Sequence, residues 1–189
     1  LAKSPTIVHG NALRMDWNDV VPKEKLSYIL GNPPFLGHHY QSEAQKADQA
    51  IVMREISAAG VMDFVANWHI RAAEYMQGAP AIRCAFVSTN SITQGEQVGL
   101  LWGLLLSKGV RIHFAHRTFQ WSNEGAGVAA VHCVIVGMTM QKPARCKLWD
   151  YGDDIRGDGR LLPTRRINGY LVDGPAVFID KRRKPICKV

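Results

Sequence analysis

Two adjacent prolines, Pro33 and Pro34, follow directly on a short apolar run at residues 26–30 (LSYIL), Gly31 and Asn32. A proline has no backbone N–H, and it restricts the residue before it to extended conformations. The pair can therefore continue neither a sheet ladder nor a helix. Residues 26–30 read as a buried strand, and Asn32-Pro33-Pro34-Phe35 as a rigid exit from it. Open α/β sheets bind ligands outside the carboxyl ends of their strands, so a reactive group is expected at this tetrapeptide. With Pro at about 5% of residues, an Asn/Asp-Pro-Pro-aromatic match arises by chance in roughly one chain of this length in a few hundred.

The flanking pattern alternates strand and helix. Ser42-Glu43-Ala44-Gln45 has the spacing of a capping box and predicts a helix to about residue 56. Asp63 is suited to cap a second helix, with Phe64, Val65, Trp68, Ala72, Tyr75 and Met76 as its apolar positions and Gly78 as its stop. Residues 81–89 (AIRCAFVST) read as a strand. Thr93 and Glu96 form a second capping-box pattern, opening a helix that closes near Gly109. Residues 110–116 and 128–138 read as two further strands with no helix between them. This order predicts an α/β fold with a largely parallel sheet and an antiparallel pair at one edge.

Composition bounds the class. The chain has 189 residues, of which 47% are hydrophobic, enough for a packed core and too many for a disordered tail or a fibrous repeat. The net charge is +7, and it is unevenly spread: residues 1–140 hold 11 basic and 10 acidic side chains, residues 141–189 hold 12 and 6. The signal for an anionic partner thus sits in the last quarter, where Gly, Pro, Arg and Lys also become frequent. A domain boundary is expected near 142, dividing residues 1–142 from 143–189. The four cysteines form no C-x-x-C pair and read as reduced thiols of a cytoplasmic protein. No apolar run reaches the roughly 18–20 residues of a membrane span. There is no H-E-x-x-H or Cys/His cluster, and His113 and His116 face opposite sides of a predicted strand, so no metal is assigned.

With these residues in view, the sequence resembles the S-adenosylmethionine-dependent DNA methyltransferases that modify exocyclic amines, whose hallmark is [DNS]-Pro-Pro-[YFW] after the fourth strand. Companion segments agree in order. Residues 85–92 (AFVSTNSI) resemble the strand that supports the family's active site. Residues 119–124 (FQWSNE) resemble the segment that brings an aromatic to the target base. His9-Gly10-Asn11-Ala12-Leu13 resembles the segment whose acidic residue contacts the cofactor's adenine; here Asn11 stands in its place and can still accept a hydrogen bond through its amide oxygen. FQWSN and Asn168-Gly169-Tyr170-Leu171-Val172 are most similar to the MmeI-like group of adenine methyltransferases in restriction-modification polypeptides.

The resemblance implies a partial Rossmann-like class I methyltransferase sheet from the fourth strand onward, followed by the start of a target-recognition region. It implies methyl transfer from S-adenosylmethionine to the N6 amine of adenine in double-stranded DNA, with the adenine flipped out. Asn32 and the Pro33 carbonyl would accept the two amine hydrogens, Pro34 would hold the loop rigid, and Phe35 would stack on the extruded base. Phe119 is the candidate for a second aromatic contact, with Trp121 as the alternative and core packing as the plain reading. Arg165, Arg166, Lys181, Arg182, Arg183 and Lys184 either neutralise phosphates or form a solvated basic face. His38-His39 is a solvated loop or a phosphate contact, and Asp63 an N-cap or a cofactor-adjacent residue.

The family's Gly-rich cofactor loop does not precede the tetrapeptide here, and residue 1 is Leu. A piece of a longer chain is therefore expected, inactive by itself, with its main cofactor loop upstream and a sheet edge that invites self-association. Two alternatives share part of the pattern: an RNA or protein-glutamine methyltransferase with the same Pro-Pro loop, and a non-catalytic DNA-binding remnant.

Overall fold

The computed structural model describes residues 4–121 and 131–178. Its elements are α1 (Trp17–Val20), β1 (Tyr28–Gly31), α2 (Glu43–Val52), α3 (Ala66–Met76), β2 (Arg83–Thr89), α4 (Gly95–Ser107), β3 (Arg111–Trp121), β4 (Val131–Thr139), β5 (Cys146–Asp150) and β6 (Arg160–Thr164). Six strands form one sheet in the order β1-β2-β4-β3-β5-β6. The α/β expectation holds, but the sheet is mixed rather than largely parallel, because β4 and β6 run antiparallel to their neighbours. β1/β2 and β3/β5 are parallel, while β2/β4, β3/β4 and β5/β6 are antiparallel.

The antiparallel pair expected at an edge lies inside the sheet. β4 inserts between β2 and β3, and β5 and β6 continue beyond β3. The 142/143 boundary falls in the connection from β4 to β5, and the strands on its far side join the same sheet. β3 also runs further than expected, to Trp121 rather than His116. Its pairing with β4 shifts between Ile112 and Phe114 and again between His116 and Phe119. These bulges break the two-residue alternation on which the sequence reading depended.

The local signals explain the helices. Ser42 Oγ accepts the Gln45 N–H at 3.3 Å and Gln45 Oε1 accepts the Ser42 N–H at 2.9 Å, which completes the expected capping box of α2. The second expected box does not form. Residues 90–93 make a tight turn in which Thr93 Oγ1 donates to the Asn90 carbonyl, and α4 starts at Gly95 with φ of 57° and no side-chain cap. α3 buries Ala66, Asn67, His69, Ile70, Ala72, Ala73, Tyr75 and Met76 at helical spacing. β2 buries every second residue, Cys84, Phe86 and Ser88. α4 adds Val98, Leu101, Trp102 and Leu105 to the same core.

His69 is fully buried between α3 and β2. Its Nδ1 faces the Val65 carbonyl at 3.4 Å and its Nε2 faces Ser88 Oγ at 3.4 Å. A carbonyl only accepts, so the Nδ1–H tautomer fits and Nε2 takes the Ser88 hydroxyl. Burial lowers the pKa from 6.5 to about 4, against the smaller opposing effect of the Val65 carbonyl. The folded imidazole stays neutral at a pH where the unfolded one takes a proton. Its contribution is therefore complete above pH 6.5 and is lost as the pH falls toward 4. The full loss is about 3 kcal/mol by linkage. Unfolding midpoints between pH 6.5 and 5 should fall in the wild type, and fall less in His69→Phe. Equal slopes would remove this role from His69.

Candidate active site

β1 ends at Gly31, and residues 32–37 leave the sheet without regular structure. A Cβ at Gly31 would stand 3.1 Å from Phe86 Cε1, so glycine allows the Phe86 ring to lie against the strand just before the tetrapeptide. Phe86 is itself buried, edge-on to His69 with centroids 5.2 Å apart. Pro33 is buried, Asn32 and Pro34 are exposed, and Phe35 is half-buried against the core. One proline thus anchors the loop while the amide of Asn32 is left in solvent.

The far side of the loop is tied down by polar bonds. The Leu36 carbonyl accepts the Phe64 N–H at 2.9 Å. Gln41 Nε2 donates to the Met62 carbonyl at 3.0 Å, and Gln49 Nε2 donates to the Ala59 carbonyl at 2.7 Å. Asp63 stands where these segments meet the end of β2. Its carboxylate accepts from Thr89 Oγ1 at 3.1 Å and from Ser91 Oγ, while Gln97 Nε2 donates to it at 3.4 Å. Asp63 is therefore not the cap of α3, which begins at Ala66 with Val65 as N-cap and no side-chain cap. Two hydroxyls and an amide offer more than one backbone N–H, and they join the side of the loop at residues 32–37 to the turn after β2. Asp63→Ala should destabilise by about 1–2 kcal/mol, because the half-buried donors Thr89, Ser91 and Gln97 lose their shared acceptor. Asp63→Asn keeps one acceptor oxygen and should lose less, as denaturant midpoints would show.

Register places the tetrapeptide among its expected companions. Gly31 pairs with Phe86, Thr89 with Cys133, and Cys133 with Phe119. The ends of β1, β2 and β3 therefore lie at one end of the sheet, with Phe119 three strand spacings from β1, about 14 Å. Phe119 is half-buried and stacks on Tyr151 with centroids 5.4 Å apart. Trp121 is 40% exposed, 6.1 Å from Phe119. His116 stacks on Trp149 at 4.5 Å and hydrogen-bonds the Tyr151 hydroxyl at 2.8 Å. This aromatic row was missed in the sequence because Trp149 and Tyr151 lie beyond the expected domain boundary.

Asn11 lies apart from the tetrapeptide in sequence but is held by the helix that follows it. Its Oδ1 accepts the Leu13 N–H at 2.9 Å and its Nδ2 donates to Asp48 Oδ2 at 2.8 Å. Burial pushes the Asp48 carboxyl up, but bonds from Arg14 and Asn11 outweigh it and hold the carboxyl below its usual value. The Asn11 amide oxygen has a second lone pair, enough for one further acceptor bond. No sequence signal marked Asp48.

The basic candidates sit elsewhere. Arg165 and Arg166 follow β6 at the opposite end of the sheet, where Ile167 bridges Ile112 near the start of β3. Lys181, Arg182, Arg183 and Lys184 lie outside the described residues, as do Ser122 and Asn123 of FQWSN. His38 and His39 form a short turn, their rings 3.8 Å apart. Among the described residues, no group of three or more His, Cys, Asp or Glu is placed to hold a metal ion.

The sequence model of the MmeI DNA-methyltransferase domain matches residues 1–150. DNA methyltransferase A of Bacillus subtilis (strain 168) is 36% identical over 179 residues, 94% of this chain and 20% of that protein. The type IIL restriction-modification enzyme MmeI, solved in complex with DNA, is 50% identical over 100% of this chain and 25% of its own, with a TM-score of 0.93. The type IIG restriction endonuclease BpuSI shares the fold at 11% identity and a TM-score of 0.51, over 79% of this chain and 20% of its own. The chain spans about a fifth to a quarter of the length of these relatives.

Proposed function

We propose, from the premise that this chain belongs to the MmeI family of DNA methyltransferases, that its parent protein methylates the N6 amine of adenine at a specific DNA site within a restriction-modification system. The observation that carries the reading is the tetrapeptide itself, at the carboxyl end of β1, with Pro33 buried and Asn32 exposed. An aromatic amine is a weak nucleophile because its lone pair is delocalised into the ring. Asn32 Oδ1 accepts one amine hydrogen and the Pro33 carbonyl accepts the other. Two fixed acceptors favour a pyramidal, electron-rich nitrogen, and the gain is positioning and preorganised electrostatics. S-adenosylmethionine supplies the methyl group.

Phe35 is proposed to stack on the extruded adenine and Phe119 to contact it from the far side of the sheet end, as enzymes that modify a base take it out of the duplex. Asn11 is proposed to accept from the cofactor's adenine through its amide oxygen. The sheet is then the back half of a Rossmann-like methyltransferase sheet, with the main cofactor loop upstream of residue 1 and a target-recognition region beginning after residue 142. Among the described strands β1 pairs only with β2 and so has an open edge where a further strand would fit, and its exposed Tyr28 and Leu30, 63% and 75% accessible, leave one face of it uncovered. The same edge is where isolated pieces would self-associate. The 189 residues alone are proposed to bind S-adenosylmethionine weakly and not to turn over; micromolar binding by calorimetry would overturn that.

The parent enzyme should be supplied with methyl-labelled S-adenosylmethionine and offered duplex DNA, RNA and protein together. Label is expected in the DNA. Label confined to RNA or protein would reject the proposal.

A further inference from the structure

At the end of the sheet opposite the tetrapeptide, a half-open cavity of about 850 Å³ is lined by residues from three segments. Arg111 comes from the start of β3, Lys142 and Arg145 from the β4–β5 connection, and Arg165 and Arg166 from the chain after β6. Leu106, Ile112, Ile167 and Phe178 supply apolar lining. The five cations have no acid among them in the lining. Asp173 stands beside the cavity, accepting the Arg166 backbone N–H at 3.2 Å. Arg111 donates to the backbone carbonyls of Leu106 and Val110. Among the described residues, Lys142, Arg145, Arg165 and Arg166 form no ion pair, in contrast to Arg14, Lys46, Arg54, Arg71, Lys108 and Arg117.

An excess of this kind in one concavity costs self-repulsion unless an anion occupies it. The sequence that follows Phe178 does not supply the counter-charge: residues 179–189 hold five basic side chains and one acidic. On the proposed reading of the tetrapeptide, the duplex that presents the target base meets the other end of the sheet. The nine residues of β4 separate the two ends by roughly 30 Å, more than the width of a duplex. A phosphate backbone also gains nothing from an apolar lining. A peptide segment with clustered carboxylates and an apolar anchor would fill both parts of the cavity. The chain is only a quarter of the length of the solved MmeI chain, so most of such a polypeptide must be accommodated around this unit.

We infer that the Arg111–Lys142–Arg145–Arg165–Arg166 cavity is the docking site for an acidic segment of the parent polypeptide outside residues 1–189. This goes beyond the methyl-transfer reading and does not depend on which base is modified. It separates Arg165 and Arg166 from the DNA target and gives them an intramolecular partner.

Carbodiimide coupling of the intact parent protein tests the inference, because it joins carboxylates to amines in contact and leaves arginine untouched. Lys142 should couple to one Asp- or Glu-bearing segment outside residues 1–189. Arg145→Lys and Arg166→Lys keep the charge and should each add a cross-link to that same segment. Coupling only to carboxylates within residues 1–189, only between copies, or not at all would overturn the inference. The double reversal Arg145→Glu/Arg166→Glu should abolish the cross-links and leave the salt dependence of DNA binding unchanged. A fall of about 2 in the slope of log affinity against log salt would instead assign these arginines to DNA phosphates. Should the reversal not fold, the two lysine variants decide alone.

Discussion

Asn32→Ala in the intact parent enzyme should slow methyl transfer by about a hundred- to a thousand-fold, the size of losing one preorganised hydrogen-bond partner at a reacting group. Cofactor and DNA affinities should change little, because the Asn32 side chain is exposed and serves no core contact. The unfolding midpoint should not move. Single-turnover transfer under saturating cofactor and DNA measures the chemical step and separates it from binding. Asn32→Asp keeps an acceptor oxygen at the same place and should retain more activity than the alanine variant. Wild-type transfer by Asn32→Ala would take the amine contact away from Asn32 and leave the Pro33 carbonyl as the surviving acceptor.

The second large effect is structural and lies far from the tetrapeptide in sequence. A Cβ on Gly169 would stand 2.6 Å from Trp102 Cγ and Cδ1, well inside contact distance. Trp102 cannot step aside. It is fully buried, and its indole N–H donates to the Ile92 carbonyl at 2.8 Å. Gly169→Ala should therefore cost about 2–3 kcal/mol by overpacking. For a unit of this size that lowers the thermal midpoint by about 5–10 °C. Calorimetry reads the shift directly. The result bears on organisation as well as packing, because Gly169 belongs to the stretch expected to begin a second domain. A neutral Gly169→Ala would mean that residues 165–173 dock on α4 only loosely.

The parts of the fold that could be read in advance were those written in local chemistry. The double proline marked the end of β1, Ser42 and Gln45 marked the start of α2, and the alternating Cys84, Phe86 and Ser88 marked β2. Two kinds of feature were hidden. Strand order is set by long-range pairing, so nothing near residues 131–139 announced that β4 would insert between β2 and β3. Side-chain polar bonds likewise depend on what folding brings close. Asp63 and Thr93 both looked like caps, yet one carboxylate serves three donors from β2, its following turn and α4, and Thr93 bonds inside a turn. At the candidate site, the tetrapeptide and Phe119 could be picked out by type and order. Tyr151 and Trp149, which pack the aromatic row beside Phe119, could not, because β5 reaches β3 only through the parallel pairing of a distant segment.

Asp63 shows how the site depends on this hidden layer. The loop after the tetrapeptide is held at Leu36 and Gln41, and the Asp63 carboxylate joins that side to Thr89 and Ser91. The position of Asn32 is thus set from Gly31 and Phe86 below and from the residues around Asp63 behind. A loop held at both ends would keep the acceptors proposed for Asn32 and Pro33 in place during transfer, where preorganisation has its effect.

Nucleoside analysis of the methylated product tests the central claim most directly. Duplex DNA modified by the parent enzyme with labelled S-adenosylmethionine should be digested to nucleosides and the label identified. The account predicts all of it in N6-methyldeoxyadenosine, and about a hundred- to a thousand-fold less of it when Asn32 is alanine at matched enzyme and time. Label in N4-methyldeoxycytidine, or in a ring-methylated base, would contradict it.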